Sequence, residues 1–250
     1  MKTIKYILLI LISILVCSCE DDNYSAPSET LQGKIIDKTT GQPIQTEQGS
    51  GIRIQLDELS WSDNPTPLYF WVKQDGTYTN TKLFKGTYRI SPVDGPFVPV
   101  LIKDGSGNIV SDGRKTVDVS GTTTVDFEVE PFLSVTWIKK PYLDATGKIE
   151  AQIKFERGTS NTNYHFNVTD VYMFIAPNTY VGNSNYDGKY STQITYSGTN
   201  GNLELGQTIT ITSKDVMPGN RDFYVRVGAR TSDNVQKRYN YTDIQKVSIP

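Results

Sequence analysis

From Leu31 onward, apolar and polar residues alternate in short runs broken by clusters of Gly, Pro, Asn and Asp, the pattern of half-buried strands and their turns. Leu31 to Ile44 and Ile52 to Leu56 read as strand, turn, strand, with Gly41 free to take positive φ and Pro43 closing the loop. Leu68–Val72 and Lys85–Ile90 follow, and two Gly-Thr-Tyr triplets end at Tyr78 and Tyr88. A fresh set of alternating runs begins after Pro131 and Phe132, at Leu133–Trp137, Ile149–Phe155 and Tyr164–Val168. Near the end, Pro218-Gly219 leads into an apolar strand from Phe223 to Val227, with Tyr241–Ile249 as its last neighbour. No run has helical spacing for more than a turn or two. The expected fold is all-β: two consecutive β-sandwich domains over 31–130 and 131–250.

The first residues have a different pattern. Lys2 and Lys5 precede about 11 residues, Tyr6 to Val16, that are apolar except for Ser13, which suits a signal-peptide core and is too short for a transmembrane helix. Ser18-Cys19 then resembles the lipobox of bacterial lipoproteins, in which the cysteine is diacylated and becomes the new first residue. Cys19 fits better than Cys17, which follows the bulky Val16, and no later cysteine exists to pair with it. The expectation is a signal peptide over 1–18 and a lipidated acidic linker over 19–30. Glu20, Asp21 and Asp22 resemble the export tag that directs some lipoproteins to the outer face of the outer membrane. Asn23 to Thr30 has linker composition.

Charge narrows the partners. Losing Lys2 and Lys5 with the signal leaves 23 basic residues against 27 acidic, a net charge of −4, with no basic patch for nucleic acid. The membrane would be held through the lipid anchor instead.

Asp37, Thr40, Gly41, Pro43, Ile44, Asp75, Gly76, Tyr78, Gly86 and Tyr88 match the pattern of carboxypeptidase-regulatory-like or transthyretin-like modules, which the stretch from Leu31 to Glu130 resembles. The Pro218-Gly219 turn and the Tyr224, Val225, Arg226, Val227 run resemble the penultimate strand of a fibronectin-type-III-like sandwich, with Phe223 or Tyr224 at its corner. Lipobox, acidic tag and paired sandwiches together resemble the two-domain lipoproteins of the family called domain of unknown function 3823. The resemblance implies a cell-surface accessory beside outer-membrane glycan capture and import systems. Its expected partners are a polysaccharide or oligosaccharide and outer-membrane transporter components.

Candidate chemistry is sparse. His165 is the only histidine and is expected to face solvent on an alternating strand, so neither a Ser/His/Asp triad nor a zinc site is supported; no catalytic residue, metal or cofactor is assigned. Asp104 to Asn108 alternates oxygen ligands, as calcium loops do, but reads as a hairpin turn. A glycosidase-type acid pair would need two carboxylates in one cleft, one of them raised in pKa.

Aromatic residues in polar loops carry the binding signal, because a flat ring stacks on a sugar's C–H face while polar neighbours bind its hydroxyls. Trp61 is the leading candidate; Tyr180, Tyr186 and Tyr190 share an Asn- and Gly-rich loop, and Tyr239 and Tyr241 flank Asn240. Trp71, Trp137, Tyr78 and Tyr88 are expected in cores. The expected function is non-catalytic glycan binding, with docking on an outer-membrane partner as the alternative and hydrolysis as the weakest reading.

Overall fold

The computed structural model describes residues 25–250, so the signal segment and Cys19 lie outside the described residues. The first domain contains β1 (Glu29–Asp37), β2 (Arg53–Glu58), β3 (Leu68–Trp71), β4 (Thr77–Leu83), β5 (Gly86–Val93), β6 (Leu101–Lys103), β7 (Ile109–Asp112), β8 (Lys115–Val119), β9 (Thr122–Thr124) and β10 (Phe127–Val129). The second contains β11 (Leu133–Leu143), β12 (Ile149–Arg157), β13 (Val168–Ala176), β14 (Thr192–Thr195), β15 (Ile209–Thr212), β16 (Arg221–Thr231), β17 (Tyr239–Tyr241) and β18 (Gln245–Ile249). The only helical pieces among the described residues are two short 3-10 turns, so the chain is all-β.

In the first sandwich the sheet β3-β2-β5-β8 faces a sheet in which β1 pairs antiparallel with β4 and parallel with β9 and β10. Leu31, Ile35, Ile54, Leu56, Tyr88 and Ile90 fill the space between them, each on the inward position of its strand. The turn after β1 closes as its residue types require: Asp37 Oδ1 accepts the Thr39 amide at 2.8 Å, and Gly41 takes φ 70°. Tyr78 and Tyr88 are core residues, with the Tyr88 hydroxyl bonded to the Phe84 carbonyl at 3.0 Å. The 104–108 segment is the hairpin turn between β6 and β7; Asp104 spends both carboxylate oxygens on Ser106 and Asn108 of its own loop.

In the second sandwich β11-β12-β15 packs on β14-β13-β16, with β17 and β18 both paired to β16. The expected last strand is thus two strands, and Phe223, not Tyr224, takes the buried inward position on β16. Two further expectations are corrected. Tyr164 to Phe166 is no strand: Asn161 accepts the Asn163 amide at 3.1 Å and starts a 3-10 turn over Thr162–Tyr164. Tyr164 and Phe166 then pack on Phe132, and His165 is half-buried with Nε2 at 2.9 Å from the Thr159 carbonyl. Trp137 is half-buried against the core, its indole N–H donated to Asp243 at 2.7 Å.

Burial along β13 sets up the site. Residues Asp170 to Ala176 are buried on both faces of their strand, which a single sandwich core does not explain. A second apolar cluster, Tyr172, Phe174, Ala176, Val181, Tyr239 and Tyr241, covers the outer face.

Candidate functional site

Two loops meet where the sandwiches join. From the first domain, the connection between β1 and β2 carries Thr46, Glu47, Gln48 and Ser50; from the second, the 177–191 connection folds back over the outer face of β13. Asn178 shapes that connection by accepting the Tyr180 amide at 3.0 Å and the Asn185 side-chain amide at 2.9 Å. The loops then bond to each other: the Ser184 amide donates to Glu47 at 3.0 Å and the Ser50 and Ser184 hydroxyls are 2.6 Å apart; from the β3–β4 connection, Gln74 donates to the Val181 carbonyl at 3.2 Å.

Arg226 of β16 lies beneath this contact, fully buried. Its Nη1 donates to the Thr46 carbonyl at 2.8 Å, its Nη2 lies 3.7 Å from Glu47 Oε1, and its guanidinium stands 3.7 Å over the Tyr241 ring. Burial pulls the Arg226 pKa down, while Tyr241 and the Glu47 carboxylate oppose that shift. Gly182 is required here, because a Cβ on it would come within 2.1 Å of Nη2.

Above Arg226 opens a cleft of about 380 Å³ lined by Glu47, Gln48, Gln74, Tyr180, Ser184 and Asn185. Its amides and hydroxyl offer both donors and acceptors, and the Tyr180 ring is 58% exposed at its mouth. An exposed ring beside the side-chain amides of Gln48, Gln74 and Asn185 and the Ser184 hydroxyl suits a polyhydroxylated ligand.

The other sequence-predicted residues are distributed differently. Tyr186 is partly exposed, but its ring meets Tyr172 and Phe174 edge-on at 5.2 and 5.4 Å, so it caps the outer-face cluster. The expectation of exposed rings is corrected for Tyr190, Tyr239 and Tyr241, all buried. Tyr190 packs on Phe223 in the main core, the Tyr239 hydroxyl donates to the buried Asp170 carboxylate, and Tyr241 lies under Arg226. The physical reason for Tyr239 and Tyr241 is that the 177–191 loop and the first domain cover the sheet face that they occupy, whereas Tyr190 turns from that loop into the main core. Trp61 is exposed, at 74%, but is not near Tyr180. It hangs from Glu58, at the end of β2 farthest from the Ser50–Ser184 contact, and donates its indole N–H to Glu58 at 3.0 Å.

One surface was missed from sequence. Trp71, expected in the core, is 41% exposed, because Phe70 is the residue of β3 that turns inward. Tyr69 and Trp71 share the outer face of this edge strand, with the Arg53 guanidinium 4.3 Å from the Tyr69 ring centre and 5.7 Å from that of Trp71. Arg53 is also held by Asp94 at 2.5 Å. The signal available was the period of two: Phe70 and the buried Val72 share the inward side of this run, so Tyr69 and Trp71 take the other.

The carboxylates with displaced pKa values include Asp112, held at about 2 by Arg114, and Glu130, lowered by Thr159 and then Lys38. These are acceptors fixed in turns and ion pairs, shifted opposite to the raised acid that glycoside hydrolysis requires.

The family model for the N-terminal domain of DUF3823, a protein of unknown function, matches residues 29–130, and that for the domain of unknown function DUF3823_C matches residues 138–246. The chain belongs to the DUF3823 family. A DUF3823 protein from Bacteroides uniformis is 36% identical over 90% of this chain and 100% of its own, with a TM-score of 0.80. A "putative carbohydrate binding protein" from the same organism is 22% identical over 89% of this chain and 100% of its own, with a TM-score of 0.67. A DUF3823 protein from Parabacteroides merdae, 21% identical over 90% of this chain and 100% of its own, has a TM-score of 0.65. No curated protein matches the chain. The two-domain, all-β layout is therefore shared with solved DUF3823 proteins.

Proposed function

We propose that this DUF3823 chain is a cell-surface outer-membrane lipoprotein that binds glycan without transforming it, as an accessory of a polysaccharide capture and import system. The observation that carries the reading is the cleft at the domain junction, where the exposed Tyr180 ring stands beside Gln48, Gln74, Ser184 and Asn185. A protein of the same fold bears a carbohydrate-binding description, which makes saccharides the first ligand class to test. The Tyr69, Arg53 and Trp71 ladder extends the surface available to a long chain.

Affinity gel electrophoresis of residues 20–250 against a polysaccharide panel tests this. With a retarding glycan identified, Tyr180→Ala is expected to weaken binding by about 1 to 3 kcal/mol, on the scale of base stacking on aromatic side chains. The buried Tyr239→Phe serves as control: it should cost about 1.5 to 3 kcal/mol of stability through its lost bond to a carboxylate and leave binding unchanged. No retardation by any glycan would favour the second reading, docking of an outer-membrane partner, for which the observation is the edge strand β3 with Leu68 55% and Tyr69 45% exposed.

Anchoring rests on Cys19. Cys19→Ala is expected to move the protein from the membrane fraction to the soluble fraction; detergent-dependent extraction of the variant would end that reading.

A further inference from the structure

The end of the first sandwich opposite the junction is built from the start of β1, the ends of β2 and β4 and the start of β5. Trp61, 74% exposed, and Phe84, 46% exposed, line a groove of about 660 Å³ together with the segment Ser25 to Glu29. The two large rings are free on the surface, and Leu83 and Pro27 continue the apolar lining. Lys82 and Lys85 are exposed beside them and pair with no carboxylate among the described residues. The two acids of the groove are engaged, Glu29 by the Gly121 amide and Glu58 by the Trp61 indole; Asp63 lies farther along the Trp61 loop.

We propose that this end of the molecule rests on the headgroup region of the bilayer, with Trp61 and Phe84 as interfacial anchors and Lys82 and Lys85 facing lipid phosphates. The proposal rests on lipidation of Cys19. Ser25 lies six residue steps beyond Cys19, and a fully extended chain of that length reaches at most about 22 Å. A lipid on Cys19 therefore keeps the groove wall within that distance of the membrane surface. Tryptophan settles at such interfaces because its ring is apolar and its N–H is polar, and lysine stems lie along apolar surface while their ammonium groups stay solvated. The arrangement also gives the molecule a direction. The Trp61 end faces the membrane, β2 and its neighbours span the first sandwich, and the Tyr180 cleft points away from the bilayer. Trp61 thus serves attachment, and the glycan role passes to the junction.

The test uses the full lipoprotein reconstituted in vesicles of phosphatidylethanolamine and phosphatidylglycerol, with and without bromine on the acyl chains near the glycerol end. Comparing wild type with Trp61→Phe isolates the Trp61 emission from that of Trp71 and Trp137. Brominated lipid is expected to abolish most of the Trp61 component while leaving the emission of Trp61→Phe unchanged. Vesicle flotation in the same samples reports the anchor. Protein that floats with an unquenched Trp61 would overturn the membrane-facing end alone, whereas protein that fails to float would overturn lipidation and this proposal with it. A Trp61 emission shift produced by a retarding polysaccharide would likewise overturn it.

Discussion

Arg226→Ala is expected to lower the unfolding free energy by about 3 to 5 kcal/mol, the cost of removing one partner from a buried ion pair. Arg226 belongs to the second sandwich, and two of the groups it serves, the Thr46 carbonyl and the Glu47 carboxylate, belong to the first. Truncation leaves Glu47 without its cation, the Thr46 carbonyl without its donor and Tyr241 without the charge over its ring. The intact pair contributes less than the truncation costs, because Nε and Nη2 donate to no protein acceptor among the described residues. Replacing both partners by apolar residues, Arg226→Met with Glu47→Leu, should therefore recover most of the loss. Urea unfolding followed by tryptophan emission and by circular dichroism measures the effect. Coincident transitions are expected in the wild type, and separation of the two probes in Arg226→Ala as the sandwiches uncouple. A loss below about 1 kcal/mol with coincident transitions would show that the junction does not depend on this contact.

The strands were readable because their alternation is local, and inward positions such as Ile149, Ala151, Ile153 and Phe155 are buried as the period of two requires. The turn residue Gly41 was readable for the same reason, since φ is set within a few residues, whereas Asp37 and Gly76 were marked by the resemblance to regulatory-like modules. Tyr239 and Tyr241 were misread because their burial comes from a loop about 55 residues earlier in the chain and from the other domain, neither visible in the local pattern. One signal was present: Val171 to Ala176 is an unbroken apolar run, which requires cover on both faces and so requires aromatic partners outside the main core. Tyr180 was readable as exposed from its Asn- and Gly-rich loop. Its cleft was not, since Gln48 and Gln74 come from the first domain and nothing in their local sequence distinguishes them.

Gly33→Ala is expected to destabilise the first sandwich by at least about 3 kcal/mol, more than Tyr78→Phe, which should cost about 1 to 3 kcal/mol. Gly33 stands opposite Tyr78 in the register between β1 and β4, and the Tyr78 hydroxyl reaches across it to donate to the Val125 carbonyl. Val125 lies in the break between β9 and β10, where the chain leaves one parallel pairing with β1 and begins another. Its carbonyl is buried there, so the phenol supplies a donor it needs. Burial pushes the Tyr78 pKa up, with Asp126 adding to the shift, so the hydroxyl remains protonated and able to donate. A Cβ on Gly33 would fall 1.9 Å from the Val125 oxygen and 2.8 Å from the Tyr78 hydroxyl. The methyl group must therefore move the Val125 backbone, which breaks the tyrosine bond and disturbs two parallel pairings together, whereas Tyr78→Phe removes only the donor. Urea melts of the two single variants and the double variant separate these effects. If the account holds, adding Tyr78→Phe to Gly33→Ala costs little further, because the bond is already lost. Fully additive losses, or a Gly33→Ala protein as stable as wild type, would mean that the glycine is not what makes room for the Tyr78 contact.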